Sequence, residues 1–148
     1  MKIRLSLLAL ACALVVSPIQ AQDKGAKEVE TELGEKMDKM GAAFRALRRQ
    51  AADPSKNADS LAKVATMREQ AQASLKLEPV KKADLPAAEQ AAFVANYRAE
   101  MKKFVGLIDS LEAAFKANKN EEATKILGTM ADAQKAGHKD FQKKKKKA

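Results

Sequence analysis

Beyond residue 26, apolar residues recur at steps of three and four, and the three prolines there (Pro54, Pro79, Pro86) fall between these runs, never inside them. Such spacing puts each run on one face of a helix, and no segment alternates as a strand would. The first run carries Val29, Leu33, Met37, Met40, Phe44 and Leu47, and predicts a helix from about Lys27 to Ala51, ended by Asp53-Pro54-Ser55. The second predicts a helix from about Ser60 to Leu77, with Asp59 or Ser60 as cap and Leu61, Val64, Met67 or Arg68, Ala71 and Leu75 inward. The third begins near Pro86, with Asp84 available as cap, and carries Phe93, Tyr97, Met101, Phe104, Ile108, Leu111 and Phe115. The fourth follows Asn118-Lys119-Asn120 and turns Ala123, Ile126, Leu127, Met130, Gln134, His138 and Phe141 inward. Glu121 and Glu122 suit its positive end and the closing lysines its negative end. Four helices with short links predict an all-α, up-down-up-down antiparallel four-helix bundle.

The first residues read as an export signal. Lys2 and Arg4 precede an uncharged, mostly apolar run from Leu5 to Val16, Ser17-Pro18 breaks it, and Ala21 is a small residue at the cut. Residues 1–21 are therefore expected to be removed, leaving 22–148 as the bundle in the periplasm, with Gln22 to Gly25 as a loose leader. The run is short for a retained membrane helix, so no integral membrane segment is expected in the mature chain. Cys12 as a lipid anchor is disfavoured, because Ala9 stands where a large aliphatic residue belongs. Cys12 is the only cysteine. Its loss excludes a disulfide, a thiolate nucleophile, a thiolate-bound zinc and covalent haem attachment.

The charge of +9 comes from 28 basic and 19 acidic residues, but Lys2 and Arg4 leave with the signal and Lys143–Lys147 are a terminal run. The remaining body is nearly balanced, and its few aromatics lie on apolar stripes instead of among lysines, so nucleic-acid binding is not expected. Acidic residues are spread over outward faces as i,i+4 pairs such as Glu35–Lys39 and Glu121–Lys125. The lysine tail reads first as a solubilising terminus and second as a surface for anionic lipid or an acidic redox partner.

His138 is the only histidine, on a stripe where a bundle wants apolar side chains. A buried imidazole needs a partner, which a metal can supply. The five methionines Met37, Met40, Met67, Met101 and Met130 all fit core positions. In an up-down-up-down bundle the start of the first helix and the end of the fourth share one end. Met37 and His138 then both lie roughly 12–15 Å from that end. Phe93, Tyr97 and Met101 fall near the same height and can flank a flat ring, with Met40 and Phe44 completing the wall. Periodicity alone does not separate Met37 from Met40.

The run Leu33-Gly34-Glu35-Lys36-Met37-Asp38-Lys39-Met40, the pair Met67-Arg68 ahead of Pro79, the run Phe104-Val105-Gly106-Leu107-Ile108-Asp109, and the unbroken spacing from Val105 through Glu122-Ala123 to His138 together resemble the cytochrome b562 family. The resemblance covers about Leu33 to Gln142. It implies one non-covalent haem b per chain, with Met37 and His138 as axial iron ligands and Phe141 at an aromatic position after the histidine. It also implies an exported monomer that transfers single electrons and is not an enzyme, with a redox partner of unknown identity. Thioether ligation favours ferrous iron and raises the potential, and two protein ligands leave no open position for oxygen. Departures are Gln134 and Gln142 where the familiar family member has arginines, so propionate or surface contacts there are not carried over. Met101 replaces an aromatic, while Tyr97 keeps one.

A second reading, of another class, is a cofactor-free periplasmic helical binding or chaperone-like module that has kept the bundle and lost haem. A di-metal enzyme is a distant third, because the Glu-x-x-His motif is absent and Lys135 stands three residues before His138. Export predicts that N-terminal sequencing of the mature protein begins at Gln22, whereas an intact Met1 in the periplasmic fraction would contradict the assigned cut.

Overall fold

A computed structural model describes residues 31–143; the export signal with its cut after Ala21, Cys12, the leader, Val29 and Lys144–Lys147 lie outside the described residues. Within them the order is α1 (Glu32–Gln50), a 3-10 turn (Pro54–Lys56), α2 (Asn57–Ser74), a second 3-10 turn (Val80–Asp84), α3 (Ala87–Lys116) and α4 (Asn120–Phe141). The chain is a four-helix bundle, with α1 against α2, α2 against α3 and α3 against α4 along their lengths.

The helix boundaries differ from expectation for local chemical reasons. Thr31 is not helical: at φ −82°, ψ 154° its side chain accepts the Gly34 N–H, and this cap starts α1 at Glu32 instead of Lys27. Asp53 caps the first 3-10 turn by accepting the Ser55 N–H at 2.9 Å and its hydroxyl at 2.7 Å. That turn runs directly into α2, which therefore begins three residues early. Neither Asp59 nor Ser60 is its cap: Gln50 of α1 donates to both, at 2.8 and 2.9 Å. Pro86, extended at φ −54°, ψ 144°, precedes α3, and Asp84 is not its cap but the partner of Lys143.

Hydrophobic burial joins the helices through Met40, Phe44 and Leu47 of α1, Val64, Met67 and Ala71 of α2, Tyr97, Met101, Ile108, Leu111 and Phe115 of α3, and Ala123, Leu127 and Met130 of α4. Each large side chain here contributes roughly 1.5–3 kcal/mol by leaving water. On α2 the expected Val64, Met67 and Ala71 are buried, but the line continues through Asn57, Ser60 and Ser74 in place of Leu61 and Leu75, which are only partly buried. The polar members survive burial because they are bonded: Ser74 donates to the Gln70 carbonyl at 2.8 Å, and Ser60 accepts from Gln50. Arg68 points away from that line to α3, donating to Asp109 at 2.7 and 3.1 Å and to Glu112 at 2.6 Å.

The two ends of the bundle are tied differently. At one end Asn120 donates to the Ala51 carbonyl at 2.7 Å and to Asn57 at 2.8 Å, while Asn57 donates back to Asn120 and to Asn118. Asn118 has φ 54°, a left-handed turn residue that an asparagine tolerates better than most. At the other end the link from α2 to α3 meets the end of α4 through Lys81 and Asp84. The i,i+4 ion pairs among the described residues include Asp59–Lys63, Glu78–Lys82 and Glu112–Lys116. The expected Glu35–Lys39 and Glu121–Lys125 pairs are not formed; Glu122 meets Lys119 instead.

Two measurements check this account. Asn120→Ala leaves the Ala51 carbonyl and Asn57 short of partners and should lower stability by about 1–3 kcal/mol in urea denaturation. The Arg68 guanidinium, and then Lys116, hold the Glu112 carboxyl down at about 2 from an ordinary 4.5. The stabilisation it supplies is therefore complete above about pH 4.5 and is lost as pH falls toward about 2. Acid unfolding followed by circular dichroism should show a shallower loss of stability over that window in Glu112→Gln than in the parent chain.

Candidate functional site

The helices that carry the two candidate ligands, α1 and α4, pack only sparsely against each other, unlike the other neighbouring pairs. Met37 lies near the start of α1, half-buried and packed against the edge of the core. His138 lies near the end of α4, which stops at Phe141. Counting from the observed helix limits at 1.5 Å per residue, Met37 sits roughly 7–8 Å and His138 roughly 4–5 Å from this end. Both are shallower than the expected 12–15 Å, because Thr31 starts α1 late and Gln142, extended at φ −84°, ψ 134°, stops α4 early.

His138 is exposed, which corrects its expected place on the inner stripe. The inward line of α4 runs Ala123, Leu127, Met130, Gln134, Gly137 and Phe141, with the last three half-buried. His138 stands one position to the side of it. The argument that a buried imidazole requires a partner therefore does not apply to this side chain. What the structure offers instead is room: a Cβ placed on Gly137 would meet nothing within 4 Å. On α1, Gly41 is buried one turn beyond Met37, and a Cβ there would come within 3.3 Å of the Arg45 guanidinium.

Of the five expected wall residues, Met40, Phe44, Tyr97 and Met101 are buried in one core cluster that also holds Met130. Phe44 is seven positions beyond Met37, about 10 Å deeper along α1, and the Arg48 guanidinium lies 5.9 Å from its ring centroid. Phe93 is half-buried outside that cluster, with its ring 5.4 Å from that of Phe141. Phe141 in turn meets Tyr97 edge-on at 5.5 Å. The three aromatics thus fasten the end of α4 to α3. Tyr97 also reaches α2, where its hydroxyl donates to the Ser74 carbonyl at 3.0 Å. Burial pushes this phenol up to about 12, so it remains a neutral donor throughout the ordinary pH range.

Sequence reasoning missed the polar fastening of this end. Lys81 donates to the carbonyls of Asp140 at 2.5 Å and Lys139 at 3.4 Å, and Lys143 pairs with Asp84 at 2.8 Å. No spacing rule links residues 81 and 140, since the pairing exists only once the α2–α3 link folds across the end of α4. Lys81, Phe93, Asn96, Glu100, Asp140 and Phe141 line an open depression of about 380 Å³ beside α3 and α4. Gln134 is half-buried and Gln142 is exposed.

Among the described residues no three or more His, Cys, Asp or Glu side chains converge as a metal site, so a carboxylate-bridged pair of metals has no ligand set there. A metal centre built on His138 and Met37 needs a group that supplies its own equatorial ligands. A soft thioether and an imidazole are a donor pair that suits haem iron, and the residues present fit that group. No helix among the described residues is long and apolar enough to cross a membrane. The family model described as Cytochrome b562 matches residues 32–142, from the start of α1 to just past the end of α4. No curated protein and no solved structure matches the chain.

Proposed function

This chain belongs to the cytochrome b562 family, and we propose on that premise that it holds one non-covalent haem b between Met37 and His138 and carries single electrons in the periplasm as an exported monomer, with no enzymatic activity. The observation that supports this reading best is the seam itself. A thioether and an imidazole stand on the two neighbouring helices that pack most sparsely, near the same end of the bundle, with free space at Gly137 beside the imidazole.

When bound, haem supplies an iron that cycles between ferric and ferrous states. The chain's own residues determine how that happens. Met37 offers a neutral sulfur from an already apolar setting, so its ligation costs little desolvation and favours the lower iron charge. His138, exposed on the last turn of α4, would have to turn inward to reach the iron, and an added Cβ on its neighbour Gly137 would meet nothing within 4 Å. Met40, Tyr97 and Met101 give the buried apolar floor, with Phe93 and Phe44 at its margins. Excluding water from one side of the ring lowers the local dielectric and limits reorganisation on electron transfer. With Met37 and His138 both holding the iron, the chain would leave no position on it for oxygen or peroxide, so these residues suit transfer of electrons and not conversion of a substrate. A mature chain without cysteine holds the group by ligation and packing alone.

Haem titration into the purified apoprotein should produce one equivalent of a reducible low-spin spectrum. Met37→Ala and His138→Ala should each abolish the six-coordinate signature and weaken haem binding by at least roughly tenfold, the scale seen even for groups one shell removed from a metal. Met40→Ala should keep it. An unchanged spectrum in His138→Ala would overturn the ligand assignment, and a folded wild-type protein that stays colourless would overturn the cofactor.

A further inference from the structure

Resting on the haem reading, we propose that Lys81 is a positioning residue for His138: its ammonium, reaching from the α2–α3 link, ties off the turn of α4 that carries the imidazole. The last carbonyls of any helix lack partners within it, and an unsupported last turn frays. In this chain the fourth helix ends at Phe141. Gln142 is extended, and Lys143 is drawn off to Asp84 at 2.8 Å. The Gln142 N–H closes on the His138 carbonyl at 3.1 Å, and Lys81 takes the next two carbonyls, those of Lys139 and Asp140.

The adjacent Lys82 cannot share this role, because it is paired with Glu78 at 2.6 Å. Phe141, between Phe93 and Tyr97, fixes how the turn is rotated against α3. Lys81 and the Asp84–Lys143 pair fix how the same turn sits against the α2–α3 link. His138 has no burial of its own to hold it in place, so its height along the seam is inherited from these ties. Axial ligation tolerates misplacement of only about half an ångström, so a turn that frays presents the imidazole only part of the time.

The test uses the full mature chain as Lys81→Met, Lys81→Arg and Lys82→Met. In the apoprotein, Lys81→Met should speed hydrogen exchange at the Gln142 amide by about two- to fivefold, the worth of a cation at a helix C-terminus, while Leu127 in mid-helix stays unchanged. In the haem-loaded protein the same variant should show a partial high-spin spectrum that added free imidazole restores to the wild-type form. Lys81→Arg, which keeps a cation of similar reach, and Lys82→Met, which breaks a different pair, should both behave as wild type. Lys81→Met matching wild type in either readout overturns the positioning role. A wild-type chain that takes up no haem overturns the haem reading and this one with it, which separates the two failures.

Discussion

Burial of apolar faces closes three seams of this bundle and leaves the fourth, between α1 and α4, sparsely packed. That asymmetry governs the rest of the molecule. The core of Leu47, Val64, Met67, Ile108, Leu111, Phe115 and Met130 runs through all four helices and holds α4 chiefly by way of α3. A helix held on one side can keep its fold while its other side faces a guest. Met37 and His138, the two proposed ligands, belong to the helices on either side of that seam.

The ends of the bundle divide the remaining work between two kinds of polar contact. The asparagine cluster of Asn57, Asn118 and Asn120 is uncharged, close to the core and reciprocally bonded, which makes it a device for fixing how the chain reverses direction. The other end uses charge: Lys81 on backbone carbonyls and Lys143 on Asp84, both more accessible to water and salt. The uncharged closure therefore lies at the end of the bundle opposite the proposed ligands, and the charged one at their end. Tyr97 joins three helices at the charged end, since its ring packs on Phe141 of α4 while its hydroxyl holds the end of α2.

Much of the fold was legible because helical periodicity is a local property. The stripes of α1 and α3 named most of the buried residues, including Met40, Phe44, Leu47, Tyr97, Ile108 and Phe115. On α2 the stripe named Val64, Ala71 and, as one of two alternatives, Met67, but missed Ser60, Ser74 and Gln70, buried polar residues that a hydrophobic pattern counts as outward. Their partners, Gln50 and the backbone, explain Ser60 and Ser74. The Gln70 side-chain oxygen remains without a hydrogen-bond partner, and we have no physical account of it. On α4 the same rule placed His138 inward because its spacing from Met130 and Gln134 is helical; the line in fact passes through Gly137, a residue with no side chain to register.

The sequence by itself determined the number of helices, where prolines interrupt them, the antiparallel order that short links impose, and the family to which residues 32–142 belong. These depend on contacts within a few residues or on the order of motifs, both readable along a line. Only the tertiary structure decided that α1 begins at Glu32, that α4 ends at Phe141, that His138 is exposed, and that Lys81 bonds the carbonyls of the turn that carries it. Each of those depends on which partner a polar group finds across the bundle, and residues 58 or 59 apart in the chain meet only after the helices have packed.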